Sequence, residues 1–179
     1  LALVLILVAV AAGGLFGGGG NVIVKEGNGF SNTLTQYDAW GGGRLATADG
    51  IPPFSFALDD FDVEFERSEA QRGAPRLFEA RVAVQNEPGA GAREELIEVN
   101  SPISIAGAKV FLVGHGYAPS FIIRDSSGDV VFDDDVVFLP QDGNFTSTGV
   151  IKIPDSDPQL GFRGLFLPTS AIDDIRGPH

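Results

Sequence analysis

The chain has 179 residues, enough to bury one ordinary domain core or two small ones. At 44% hydrophobic and 20% charged residues it is globular, which excludes a disordered chain. Twelve Lys and Arg against 24 Asp and Glu give a net charge of −12, which argues against nucleic acid and against an anionic membrane surface as docking partners of the folded part.

There is no cysteine, so disulfides, thiolate zinc sites and cysteine nucleophiles are excluded within the chain. There is no methionine either, and the first residues already lie in an apolar run, so we expect a fragment of a longer protein. Leu1 to Val10 reads LALVLILVAV, and no charge precedes Lys25. A spanning helix needs about 20 apolar residues. The run therefore reads as the end of a transmembrane helix, with Gly17 to Gly20 as a flexible linker. A signal-peptide core with Ala9-Val10-Ala11 as cleavage site competes with that reading, and a buried core helix is the third option. The lack of Lys and Arg just after the run favours the outer side of the membrane.

Beyond residue 20 we expect a single extracytoplasmic, β-rich domain over residues 21–179. Val22 to Lys25 is a short strand candidate. Ser31 to Asp49 is poorly defined and reads as a short helix or a long loop. Phe54 to Phe65 alternates towards its end, with Phe61, Val63 and Phe65 on one face, the period of a half-buried strand. Leu77 to Gln85 alternates through Phe78, Ala80, Val82 and Val84, and Glu94 to Asn100 through Leu96 and Val99. Pro88 to Gly91 between them reads as a hairpin loop. Lys109 to Val113 is nearly all apolar, which predicts a strand buried on both faces. Ser120 to Asp125 and Asp129 to Phe132 flank a Ser-Ser-Gly turn. Val136 to Leu139, Gly149 to Ile153 and Phe162 to Leu167 complete the series, and Asp173 to His179 reads as a cut through a connection. The predicted fold class is mostly β, an antiparallel β-sandwich or distorted barrel preceded by a truncated transmembrane helix.

Chemistry-bearing motifs are few. No serine sits in a Gly-x-Ser-x-Gly context, and no Gly-x-Gly-x-x-Gly joins a strand to a helix. Asp133-Asp134-Asp135 lacks the glycine of a calcium loop and reads as a solvated acidic turn. Asn144-Phe145-Thr146 fits a glycosylation acceptor, but a turn ordering Pro140 to Asn144 explains it better. Fourteen phenylalanines suit either an apolar groove or a β core, and their alternation supports the core. His115, between Gly114 and Gly116, has two readings. It is an axial haem ligand whose glycines admit a flat macrocycle, or a turn histidine whose glycines supply positive φ, the commoner role. His179 carries less weight. Tyr37 and Trp40, beside a triple glycine, are candidates for a partner-recognition surface, and Tyr117 joins them.

Several strings in a fixed order carry a resemblance. They are Asn21 to Val24 with Glu26-Gly27, Gly29 to Leu34, Gln36-Tyr37-Asp38, Pro52 to Phe56, Leu58 to Phe61, Val110 to Pro119 and Phe138 to Ser147. Together, after a hydrophobic segment, they resemble the ResB family of cytochrome c biogenesis proteins in its actinobacterial form, from Asn21 to about Pro178. The resemblance implies a protein of the cell membrane with a few transmembrane helices and one large extracytoplasmic domain. It implies a ResC/CcsA-type membrane partner, haem as cargo and apocytochrome c as client of the System II machinery. It transfers no catalytic residue and implies an assembly factor, not an enzyme. No cofactor is expected in this fragment itself. The haem-ligating histidines of the family's helices and the tryptophan-rich segment of the partner are not among these residues.

Overall fold

The computed structural model describes residues 10, 13–66, 75–168, 172–173 and 177–178. The chain is mostly β, in several antiparallel sheets, as its alternating pattern predicts. It divides into two compact units, Leu1–Glu64 with Arg76–Leu112, and Phe65–Pro75 with Val113–His179.

The first unit holds β1 (Gly18–Asn21), β2 (Gly29–Ser31), β3 (Ala39–Gly42), β4 (Ser55–Phe65) up to Glu64, β5 (Pro75–Gln85) from Arg76, β6 (Arg93–Glu98), β7 (Ile103–Ile105) and β8 (Ala108–Val110), while Phe65 and Pro75 belong to the second unit. Its main sheet has the order β2-β4-β5-β6. Ala80, Val82 and Val84 of β5 form one buried face, joined by Phe30, Phe56, Leu58 and Ile97 from the neighbouring strands. The period of two in β5 is what lets one face bury while Arg81 stays outside and bridges to Asp60 at 2.9 Å. The β7–β8 hairpin turns through Ala106 and Gly107, both at positive φ.

Several expectations are corrected here. Gly18–Asn21, read mostly as flexible linker, pairs antiparallel with Ala39–Gly42. The physical reason is close packing that only glycine allows. A Cβ on Gly18 would sit 2.5 Å from the Trp40 indole, and one on Gly20 would sit 2.6 Å from the Tyr37 ring. Val22 to Lys25 is not a strand, although Val22 and Val24 pack on the core. In β6 the buried residue is Ile97, while Leu96, and Val99 just beyond the strand, are exposed, because the register sets Ile97 against Ala80. The run Lys109 to Val113 is not buried on both faces. Val110 and Leu112 face the core, while Phe111 is 59% and Val113 85% exposed. The Ser31 to Asp49 interval holds two single-turn helices, at Leu34–Gln36 and Ala48–Gly50, with β3 between them.

The second unit holds β9 (Ser120–Arg124), β10 (Val130–Asp135), β11 (Leu139–Pro140), β12 (Ser147–Ile153), β13 (Leu160–Phe166), β14 (Ile172–Asp173) and β15 (Gly177–Pro178). The β9–β10 hairpin turns where Asp125 accepts hydrogen bonds from the Ser127 and Asp129 N–H groups. Asp133 to Asp135 lie on β10 opposite β9, not in a turn, because their backbone is used in pairing. A three-stranded sheet has the order β11-β12-β13. Its inner face buries Ile151 and Ile153 together with Val136 and Phe138. Gly149 of β12 and Gly164 of β13 stand opposite each other, and the Phe138 ring lies on both. Cβ atoms there would come within 2.5 and 2.6 Å of that ring, so the glycine pair is its seat.

The apolar run at residues 1–9 lies outside the described residues, so the transmembrane or signal-peptide reading does too. Residues 13–16 are helical. Among the described residues no helix is long and apolar enough to cross a membrane.

Candidate functional site

The segment before β9 brings His115 and Tyr117 into the second unit. Tyr117 bridges to Phe138 in both directions, its N–H donating to the Phe138 carbonyl at 3.0 Å and its carbonyl accepting from the Phe138 N–H at 2.7 Å. That bridge fixes the chain two residues beyond His115. Gly116 is required for it, since a Cβ there would lie 2.8 Å from the Phe138 carbonyl oxygen. Neither Gly114 nor Gly116 is at positive φ, so the turn explanation is corrected: Gly116 serves a close approach, while a Cβ on Gly114 would meet nothing within 4 Å.

Around His115 stand three aromatic rings. Phe145 is 4.8 Å away between centroids, Tyr117 5.6 Å and edge-on, and Phe65 6.3 Å. Phe65 and Phe145 touch each other at 5.2 Å, and Tyr117 packs on Phe166 at 4.7 Å. The imidazole is half-buried, and its burial lowers its pKa from the ordinary histidine value. The same cause raises the pKa of Tyr117. At neutral pH the cluster therefore presents a neutral imidazole in an aromatic surround.

Phe145 is the member that the sequence does not announce. It sits at φ 60°, a region where a bulky side chain is strained. The loop imposes this. The Asp142 carboxylate accepts from the N–H groups of Asn144 and Thr146, both at 3.0 Å, and the Phe145 N–H donates to the Asp142 carbonyl at 3.1 Å. The Ser147 hydroxyl donates to the Phe145 carbonyl at 2.8 Å. The bonds from Thr146, followed by that from Asn144, hold the Asp142 pKa below the usual carboxylate range. The turn expected over Pro140 to Asn144 is thus present, and its product is the placement of Phe145.

Tyr37 and Trp40 belong to the first unit. Their rings pack at 4.7 Å, and Tyr37 packs edge-on against Phe30 at 5.0 Å. The Tyr37 hydroxyl donates to Asn32 Oδ1, and Asn32 Nδ2 donates to the Pro52 carbonyl at 2.9 Å. Tyr37 is half-buried, and burial raises its pKa. The structure thus brings His115 together with Tyr117, and Tyr37 with Trp40, in separate units. His179 lies outside the described residues. Among the described residues no group of three His, Asp or Glu could hold a metal ion.

Compared with known proteins, the chain matches the family model of the ResB-like family over residues 1–177. No curated protein and no solved structure matches it.

Proposed function

This chain belongs to the ResB-like family and has that family's role in cytochrome c biogenesis, and on that premise we propose that it is the extracytoplasmic part of a System II haem-delivery assembly. In this reading it is a non-enzymatic module. It positions haem and the exported apocytochrome c beside a ResC/CcsA-type membrane partner, where the Cys-x-x-Cys-His motif receives its haem. The family match over almost the whole chain carries the reading. Co-purification tests it. The intact membrane protein, extracted in mild detergent, is expected to bring down a ResC/CcsA-type partner, and removal of residues 21–175 is expected to weaken that association. Equal recovery of the partner would contradict a positioning role for the domain.

A second reading, in which the domain itself binds haem through His115, is favoured by the His115–Phe145–Tyr117–Phe65 cluster. Haem titration followed by the Soret band separates the two. His115→Ala is expected to lose the low-spin signature if His115 is a ligand, and an unchanged spectrum removes that assignment.

A further inference from the structure

The three-stranded sheet of the second unit is closed at one edge and open at the other. At the β11 end, Phe138 exchanges both backbone bonds with Tyr117. At the other end, β13 pairs with β12 alone among the described residues. One bond fixes the direction of its free groups. The Thr146 carbonyl accepts from the Gln141 N–H at 2.8 Å, so Thr146 and every second residue after it turn their backbone groups towards β11. Ser147, Gly149, Ile151 and Ile153 therefore turn theirs towards β13, where they meet Phe166, Gly164, Phe162 and Leu160. The N–H and C=O groups of Gly161, Arg163 and Leu165 point away from the sheet. Edge strands are ordinarily blunted by charge, proline, bulges or brevity. β6 carries Arg93, Glu94, Glu95 and Glu98, β10 carries Asp133 to Asp135 and a register shift, and β11 is two residues long and ends in Pro140. β13 has seven residues in unbroken register, no proline, and Arg163 as its one charge. Its core-facing side is also uncovered. Phe162 and Leu160 oppose the buried Ile151 and Ile153, yet are themselves 44% and 45% exposed.

We infer that β13 takes up an extended, unfolded segment of another polypeptide as a fourth strand of this sheet. The occupant is selected by the alternation of the free groups. Outward donors and acceptors at every second residue are matched by another strand, and main-chain bonds of this kind bind peptides at sheet edges with little demand on sequence. Alternate apolar side chains of the segment would lie beside Leu160 and Phe162 and complete the cover of Ile151 and Ile153. A second copy of this chain fits poorly. Laid antiparallel about the middle of β13, it would set Arg163 against its own copy, and like charges directly opposite are destabilising. Each copy also brings a net charge of −12. The source of the segment rests on the reading above, in which the client arrives unfolded, and what is added is where and how its main chain is held.

Hydrogen exchange on the whole chain in detergent micelles tests this. The probe is a synthetic peptide of alternating valine and threonine with a lysine at each end, and its control is the same peptide N-methylated at every valine and threonine. The control keeps the side chains and loses the donors. The probe is expected to slow exchange at the Arg163 and Leu165 amides by about five-fold or more, the factor of one net backbone hydrogen bond. The Phe162 and Gly164 amides, already bonded to β12, are expected to change less, and the control peptide is expected to have no effect. Arg163→Pro removes an outward donor without touching a bond to β12, so it is expected to abolish the slowing at Leu165, whereas Arg163→Gln is expected to keep it. No slowing with the probe, equal slowing with the N-methylated peptide, or slowing at Leu165 that survives in a folded Arg163→Pro protein overturns the inference. So does protection of Arg163 and Leu165 that grows with protein concentration in the absence of peptide, which would make the occupant a second copy. None of these outcomes depends on co-purification of a membrane partner, so the two readings fail separately.

Discussion

At the residue scale the informative side chain is His115, and its surroundings make its behaviour specific. Its proton binds more weakly in the folded state than in the unfolded one, where the ordinary value is about 6.5. Below that value the unfolded state binds more protons, so stability falls as pH falls through the window between the ordinary and the depressed value. Above it the contribution is complete. A histidine NMR titration is expected to place His115 below the ordinary value, and Phe145→Ala is expected to move it back up by admitting water. The Asp142 turn makes a separate expectation. Asp142→Ala is expected to speed hydrogen exchange at the Asn144 and Thr146 amides, which lose their acceptor. The sequence points to His115 by its rarity and its flanking glycines, but not to their purpose. A glycine needed for close approach looks the same in sequence as one needed for positive φ. Phe145 is invisible in sequence because nothing in Asn-Phe-Thr marks a phenylalanine held at positive φ by an aspartate three residues earlier.

At the element scale the strands with strict alternation are legible, because a face that packs on a core must repeat every second residue. The segments over Pro75–Gln85 and Ser147–Ile153 are of this kind, whereas Ser55–Phe65 changes phase between Leu58 and Phe61 and alternates only within each half. Where alternation is absent, pairing decides, and the sequence does not show pairing. Gly18–Asn21 is a strand because aromatic rings of another segment need its glycines. Lys109 to Val113 has apolar residues on both faces but a core on one only. The Gly149–Gly164 seat of Phe138 is likewise set by register alone. Gly149→Ala and Gly164→Ala are each expected to destabilise by about 1–3 kcal/mol, since Phe138 is fully buried and has no room to move. Gly161→Ala, whose Cβ would meet only ordinary contact at 3.8 Å, is expected to stay within about 0.5 kcal/mol. Denaturant midpoints at constant slope compare the three. Phe138→Ala is expected to cost about 3–5 kcal/mol by the same measurement.

At the scale of the whole molecule, composition excludes more than it identifies. The family is legible from ordered strings, and the family model over residues 1–177 bears that out. The proposed positioning role is less legible, because such a role would need shape and surface more than a catalytic motif. The most direct measurement is covalent holocytochrome c in cells whose protein lacks residues 21–175 but keeps its membrane attachment and its level. The account expects holocytochrome c to be lost while apocytochrome c is still exported. Normal holocytochrome c would contradict it.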